Sequence, residues 1–290
     1  MRLNQCPVEA QVVAMLAALV VSFVTVRAVQ GMINGHDVDL PTKSSIVSIH
    51  ETQNGPLVCT GVLMTPRHVL TAEHCFLGAK WVKLGRGNTD EVLEINAFNV
   101  HPKAREWPVV KYDIAVVRLK QASKQQPPAR LGFDSVSIGA PVVVRGRGVT
   151  AFGRINRPKQ VREMNGTVVA ASACEQALRE PNPIHESMMC ISGVFVCRGD
   201  SGGAVSIVQE NGDEVVVALQ SLGVKECNES TAVYTRVSTA REFIEPFLST
   251  QPASSPQTIH QPSLSPPEDA KQPYSCANMP PRPSLASTDW

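Results

Sequence analysis

The sequence predicts a mostly-β domain, an antiparallel sandwich or barrel, between about Met32 and Leu248 of the 290 residues. Short apolar and β-branched runs recur there, and Gly, Pro and Asn separate them. Short strands divided by turn residues are typical of antiparallel sheets, whereas βαβ units need helical segments between their strands. Beyond Thr250 the composition changes, which marks the end of the domain. The predicted strands include Ser45–His50, Val58–Met64, Trp81–Leu84, Ile114–Leu119, Pro141–Arg145, Val215–Leu222 and Ala232–Val237.

A signal peptide is predicted for residues 1–31. The apolar run Val12–Val26 follows the basic Arg2 and is too short to span a bilayer comfortably. Small residues then permit cleavage after either Ala28 or Gly31. A buried core helix and a signal anchor are less favoured, because the run is N-terminal and ends at a cleavage-like sequence.

The C-terminal region divides into a helix and a tail. The pattern predicts a helix over Thr239–Leu248, with Phe243 and Phe247 on one face and Pro246 interrupting it. In residues 250–290, Pro and Ser recur and apolar residues are few, so we expect a disordered tail. A proline-rich docking ligand is the alternative.

The bulk composition is that of an ordinary globular protein. Hydrophobic residues make up 43% of the chain and charged residues 18%, with a formal net charge of +1. Because no basic run stands out, we expect no nucleic-acid partner.

Seven of the eight cysteines remain once the predicted signal peptide removes Cys6. Export makes disulfides their expected state. Metal binding is disfavoured because no C-x-x-C or tight Cys/His spacing occurs, so we expect no metal and no cofactor. Cys276 lies in the tail, where it is either a free thiol or a tether to another chain.

Three segments carry residues suited to nucleophilic catalysis, and they contain His74, Asp113 and Ser201. A serine hydroxyl is a poor nucleophile at neutral pH unless a nearby base takes its proton. Histidine titrates near neutrality and can be that base, while a buried carboxylate orients it and stabilises the imidazolium. The segments are Thr71–Cys75 (TAEHC), Asp113–Val117 (DIAVV) and Gly199–Gly203 (GDSGG).

The glycines around Ser201 indicate an oxyanion hole. Attack on an amide places negative charge on the carbonyl oxygen, which two converging backbone N–H groups stabilise. Gly199 permits the tight turn that aims its N–H, and the N–H of Ser201 is the second donor.

These three blocks, in this order and spacing, resemble the signatures of the chymotrypsin-fold (trypsin-like) serine protease family. The resemblance covers about Met32–Leu248 and implies an all-β fold of two antiparallel six-stranded β-barrels with a C-terminal helix. The active site would lie in the cleft between the barrels. The resemblance also implies three disulfides, with Cys276 left over: Cys59–Cys75, Cys174–Cys190 and Cys197–Cys227.

The resemblance further implies an activation ion pair. The block that begins at Met32 looks like the family's new N-terminus, whose ammonium would pair with Asp200. Because cleavage after Gly31 satisfies signal peptidase, secretion alone could expose Met32 without a separate zymogen step. Arg198-Gly199-Asp200 also spells an adhesion tripeptide, but a buried Asp200 does not fit that role.

The specificity pocket implied by the resemblance lacks a charge. The residue six before Ser201 is Phe195, where trypsins have Asp. A buried Lys or Arg head would lack a counter-ion there, so we expect small or medium apolar side chains before the scissile bond. Phe195 could also fill the pocket. The predicted pocket residues are Phe195, Val196, Ser221, Gly223 and Ala232.

The chain departs from the family pattern at several positions. Thr60 replaces a usual Gly after the first cysteine, and Glu73 replaces a usual Ala beside His74. Ala204 and Leu222 replace a usual Pro and Trp. None of these changes removes a group needed for acyl transfer. Asn165 and Asn228 begin N-glycosylation sequons.

Together these features predict a secreted serine endopeptidase over residues 32–249. We expect a polypeptide substrate, a protein protease inhibitor as a further partner, a monomeric state and no membrane association once the signal is removed. The alternative is a catalytically weak homologue that acts as a binding or decoy protein.

Overall fold

The computed structural model describes residues 32, 35–38, 45–85, 91–104, 111–124, 127–149, 160–179, 183–223, 227 and 229–249. The predicted signal peptide and the proline-rich tail lie outside these residues, as do Asn228 and Cys276, and they stay predictions. Within the described ranges, no helix has the length and apolar character needed to cross a membrane.

The first half of the domain is a closed six-stranded antiparallel barrel. A two-residue strand, β1 (His36–Asp37), precedes it. The barrel closes in the order β2-β3-β4-β7-β6-β5 around a core that includes Val47, Leu63 and Val117. Its strands are β2 (Ile46–His50), β3 (Leu57–Thr65), β4 (His68–Thr71), β5 (Trp81–Leu84), β6 (Glu91–Val100) and β7 (Ala115–Leu119).

The second half forms another six-stranded ring. Strands β9 to β14 run in the order β9-β10-β11-β14-β13-β12, and β12 pairs with β9 to close it. Strand β8 (Arg130–Leu131) adds to β13 in parallel, and β1 adds to β10. The strands are β9 (Pro141–Gly146), β10 (Arg162–Val169), β11 (Met188–Ser192), β12 (Ala204–Val208), β13 (Glu214–Leu222) and β14 (Thr231–Arg236). The predicted pair of six-stranded barrels is therefore confirmed.

Helices are short in the described residues. Helix α1 (Ala171–Leu178) carries the disulfide-bonded Cys174 within it. Helix α2 (Arg241–Leu248) confirms the predicted C-terminal helix, and Pro246 is accommodated inside it. Two 3₁₀ turns complete the set, at Glu73–Phe76 and Ser238–Ala240.

An apolar cluster joins the two barrels. Val62 and Leu70 of the first barrel share it with Ala204 and Leu219 of the second, and all four side chains are buried. Helix α2 adds the fully buried Ile244 to the same cluster. Burying a side chain of this kind stabilises the fold by about 1.5–3 kcal/mol. The cluster thereby packs the two barrels against each other.

The three disulfides implied by the resemblance are present: Cys59–Cys75, Cys174–Cys190 and Cys197–Cys227. The first ties β3 to the 3₁₀ turn that carries His74. The third joins the segment before Ser201 to the segment that follows β13.

Candidate active site

The position of His74 is fixed by the turn in which it lies, by an adjacent disulfide and by a carboxylate. It lies in the 3₁₀ turn after β4, directly before the disulfide-bonded Cys75. Its backbone N–H donates to Asp113 Oδ1 at 3.0 Å, and its Nδ1 lies 2.9 Å from Asp113 Oδ2. Because an ionised carboxylate only accepts hydrogen bonds, Nδ1 carries the proton. In the neutral imidazole, Nε2 is therefore the nitrogen with the lone pair. The His74 side chain is 36% exposed, so part of the ring is accessible to solvent.

Asp113 is buried at the entrance to β7, with its side chain only 4% exposed. The Ser221 hydroxyl donates to Oδ2 at 2.5 Å, and the Thr235 hydroxyl donates to the backbone carbonyl of Asp113. Burial raises the pKa of Asp113, but hydrogen bonds and charge from His74 and the bond from Ser221 outweigh burial and hold this pKa below its ordinary value. Asp113 thus stays ionised at neutral pH.

Ser201 lies against the segment that carries His74. Its carbonyl oxygen accepts the N–H of Thr60 at 2.9 Å and lies 3.9 Å from Cys75 Sγ. Ser201 itself is half-buried.

Gly199 has a conformation that excludes a side chain. Its φ is +92°, in the region that favours glycine. A Cβ there would also lie 2.6 Å from Leu57 Cδ2 and 3.1 Å from the Cα of Gly148. The backbone conformation and the close packing therefore both require glycine at position 199, and its role in an oxyanion hole stays a prediction.

Thr60 contacts this segment in a way that sequence reasoning missed. Its hydroxyl donates to the Gly199 carbonyl at 2.7 Å and accepts the N–H of Arg147 at 3.1 Å. The sequence signal was only that Thr stands where Gly is usual. The contact itself joins residues 139 positions apart, which no local pattern reveals.

Asp200 and Met32, the predicted activation pair, are both buried in the second barrel. Asp200 accepts the N–H groups of Cys197 and Gly148 at 2.9 and 2.8 Å, and it is 1% exposed. Burial, opposed by these bonds and by the charge of Arg162, raises its pKa to about 7. Met32 is 1% exposed within the apolar core of this barrel. In the uncleaved chain its nitrogen is an uncharged amide, so the ion pair would belong to a processed form.

The predicted specificity pocket is narrow on the side of Val196. A Cβ placed on Gly223 would lie 2.8 Å from Val196 Cγ2, and Val196 itself is buried. Ala232 is also buried, and Phe195 packs half-buried against the same apolar cluster. Ser221 was predicted as a pocket residue, and its hydroxyl bonds to Asp113.

Two buried polar atoms near this pocket have no hydrogen-bond partner among the described residues: Gln220 Oε1 and Tyr234 Oη. The two residues face each other across the β13–β14 pairing. Gln220 Nε2 lies 3.8 Å from the position of a Cβ on Gly223 and 3.4 Å from the Leu222 carbonyl. Gln220 was not among the predicted pocket residues. The sequence shows that this residue is polar, but it does not show that the side chain is buried.

One group of potential metal ligands occurs in the described parts of the chain, formed by Cys59, His74 and Cys75. Both sulfurs belong to one disulfide, so neither is a thiolate that could bind a metal. The donor set therefore does not fit a metal site.

A sequence profile named Trypsin matches residues 32–244, most of the chain. The chain belongs to the trypsin family. Within this family it is 29% identical over 231 residues to glucanase inhibitor protein 3 of Phytophthora infestans, covering 73% of this chain and 86% of that protein. It is also 29% identical over 202 residues to a chymotrypsin of Phaedon cochleariae, covering 64% and 71%.

The trypsin-family fold is also found among solved structures. Neuropsin, a serine protease expressed in the limbic system of mouse brain, superimposes with a TM-score of 0.63. The match covers 74% of this chain and 99% of neuropsin at 24% sequence identity, so it supports the fold alone.

Proposed function

We propose that this trypsin-family protein is a serine endopeptidase in which Ser201 is the nucleophile, His74 the general base and Asp113 the residue that orients it. The observation that carries the proposal is the buried Asp113 carboxylate, bonded to His74 Nδ1 at 2.9 Å and to the Ser221 hydroxyl at 2.5 Å. A buried charge needs such partners, and this arrangement fixes the tautomer that general-base catalysis by Nε2 requires.

The proposed reaction is acyl transfer. His74 Nε2 takes the proton of the Ser201 hydroxyl as its oxygen attacks the peptide carbonyl, and Asp113 stabilises the imidazolium that forms. The N–H groups of Gly199 and Ser201 bind the developing oxyanion. The imidazolium then donates its proton to the leaving amine, and water hydrolyses the acyl-enzyme by the reverse sequence of proton transfers.

The proposed substrate has a small or medium apolar side chain before the scissile bond. Supporting this, Val196 lies against the space beside Gly223, and the pocket residues Phe195 and Ala232 carry no charge. A basic side chain would lose its hydration without gaining a counter-ion, which is unfavourable.

We further propose that the protein is secreted and that residues 32–249 form the working, monomeric domain. The three disulfides support an oxidising compartment. Removal of residues 1–31 would give Met32 an ammonium group, and the buried Asp200 carboxylate would be its partner. Sequencing of the N-terminus of secreted, active material tests this: a fully active chain that begins upstream of Met32 contradicts it.

The proposed catalysis is tested with a fluorophosphonate probe, which labels only an activated serine. Correctly processed wild-type protein should be labelled, Ser201→Ala should not, and His74→Ala should be labelled far more slowly. A folded, processed wild type that remains unlabelled would show that the catalytic proposal is wrong.

A second function is favoured by one observation: three of the similar proteins are named glucanase inhibitor proteins, from two Phytophthora species. In this alternative the chain acts by binding a protein partner, and it need not catalyse peptide hydrolysis. The same labelling experiment separates the two functions. Tight binding of a secreted glucanase by the unlabelled wild type, unchanged in Ser201→Ala, would favour the binding role.

A further inference from the structure

The segment Gly199–Gly203, called the loop below, contains both proposed oxyanion donors. It is hydrogen-bonded to one residue of the first barrel, Thr60. We propose that Thr60 is a positioning residue for this hole, acting through its hydroxyl on Gly199 and through its backbone N–H on Ser201. The inference rests on the proposed function, and it adds a residue that acts without touching the substrate.

The Thr60 hydroxyl uses both its donor and its acceptor capacity. It donates to the Gly199 carbonyl at 2.7 Å and accepts the Arg147 N–H at 3.1 Å. Thr60 is fully buried in β3, so water cannot replace either bond. A buried hydroxyl with both roles satisfied has one preferred orientation, which makes it a rigid support for the peptide group it contacts.

The backbone of Thr60 holds the other end of the loop. Its N–H donates to the Ser201 carbonyl at 2.9 Å. Its carbonyl accepts the Thr71 hydroxyl at 2.8 Å, and a Cβ on Gly202 would come within 2.3 Å of that carbonyl. The loop therefore packs directly on Thr60 between two hydrogen bonds, one to each residue that would donate to the oxyanion.

Gly199 needs such support because of its conformation. A glycine with a φ of +92° has many alternative conformations open to it once a restraint is removed. Losing the bond to its carbonyl would release the Gly199–Asp200 peptide. The Arg198–Gly199 peptide, which carries the Gly199 N–H, is joined to it through the flexible Gly199 Cα, so this N–H would also be held less firmly. Oxyanion donors act only in the transition state, so poor aim should lower kcat and leave KM nearly unchanged.

Thr60→Val tests the inference, because valine keeps the β-branched shape and removes the hydroxyl. Thr60→Ser keeps the hydroxyl and removes a methyl group. Thr65→Val is the matched control: Thr65 lies on the same strand and is buried, and its hydroxyl also accepts a backbone N–H, that of Arg67. It therefore undergoes the same chemical change away from the loop.

The expected result is a fall in kcat of about tenfold for Thr60→Val, with KM within about twofold of wild type; losing a whole donor costs roughly 10²–10³. Affinity for a peptide boronic acid, which mimics the tetrahedral state, should fall by the same factor. Affinity for the corresponding product peptide should not change. Thr60→Ser should retain most of kcat, and Thr65→Val should retain all of it.

Equal kcat in Thr60→Val and Thr65→Val would overturn the inference, even if both variants are less stable than wild type. A rise in KM alone would overturn it as well. If the wild type fails to label with fluorophosphonate, the catalytic proposal fails first. The amide ¹H–¹⁵N signals of Gly199 and Ser201 then decide: they should shift in Thr60→Val and not in Thr65→Val, and unshifted signals contradict the positioning role.

Discussion

The Ser221 hydroxyl donates a hydrogen bond to Asp113 Oδ2 at 2.5 Å, joining β13 of the second barrel to the entrance of β7 in the first. The same oxygen lies 2.9 Å from His74 Nδ1. The orientation of the proposed base therefore depends on contacts from both barrels.

Replacing Ser221 by alanine should weaken this arrangement. Ser221→Ala removes a hydrogen bond to a buried carboxylate, which typically costs about 1.5–3 kcal/mol in stability. Asp113 has a lowered pKa, so its contribution to stability is present above its unfolded pKa and is lost as the pH falls through the folded pKa. Because the variant loses one of the causes of this lowering, acid unfolding should begin at a higher pH.

Urea unfolding between pH 2 and pH 7 measures this change. Ser206→Ala is the control, because Ser206 is a buried serine of the same barrel whose hydroxyl has no partner among the described residues. This control should leave the fall of the unfolding free energy at acid pH unchanged. If that fall begins at the same pH in Ser221→Ala as in wild type, the prediction is contradicted.

The unprocessed chain should lose stability as the pH rises from about 4 to 7. Burial raises the pKa of Asp200 to about 7 from an ordinary value of 3.8, so in this range the folded state holds a proton that the unfolded state has released. The free energy of unfolding then falls by at most about 1.4 kcal/mol per pH unit. Asp200→Asn should remove this fall, and a chain that begins at Met32 should reduce it, because an ammonium favours the ionised carboxylate. Urea unfolding at several pH values between about 4 and 7 gives the free energy of unfolding as a function of pH for each form. If its slope against pH is the same in Asp200→Asn as in wild type, Asp200 does not titrate in this way.

Shortening Val196 should widen the predicted specificity pocket. Val196→Gly removes the Cγ2 atom that lies 2.8 Å from a Cβ position on Gly223. The ratio of kcat/KM for a large to a small apolar residue before the scissile bond should rise by about 10–100-fold, since about one to three kcal/mol accompany such changes in pocket size. A peptide-library profile measures the ratio. Val208→Gly is the control, because Val208 is exposed on β12, and it should leave this ratio unchanged. An unchanged ratio in Val196→Gly would show that Val196 does not limit the size of the specificity pocket.

Replacing Gln220 by methionine should stabilise the protein. The Gln220 Oε1 atom is buried without a partner among the described residues, and leaving such an acceptor unpaired costs about 1–3 kcal/mol. Methionine has a similar length and removes the polar atoms, although it also loses the long contact from Nε2 to the Leu222 carbonyl. We expect a net gain of about 1 kcal/mol in the free energy of unfolding. A loss of stability in Gln220→Met would instead indicate that a bound water or ligand satisfies Oε1.

The prediction of the fold succeeded where the information is local. Strands such as Ser45–His50 and Ala232–Val237 were recognised because apolar runs and turn residues lie next to each other in the chain, and the helix after Thr239 because its phenylalanines are four residues apart. The two-barrel arrangement was not visible in composition and came from the resemblance. It is confirmed by the closure of each six-stranded ring.

Short motifs in the chain were enough to identify the chemical groups of the predicted site: an imidazole, a carboxylate and a hydroxyl. The pairing of six cysteines into three disulfides came from the family resemblance. What surrounds these groups is visible only in the folded protein. The Thr60–Gly199 and Ser221–Asp113 bonds join residues 139 and 108 positions apart, and the burial of Gln220 depends on its facing strand. The physical reason is that a motif fixes residue types over a few positions, whereas hydrogen-bond partners, burial and pKa depend on chain segments that meet only when the barrels close and pack together.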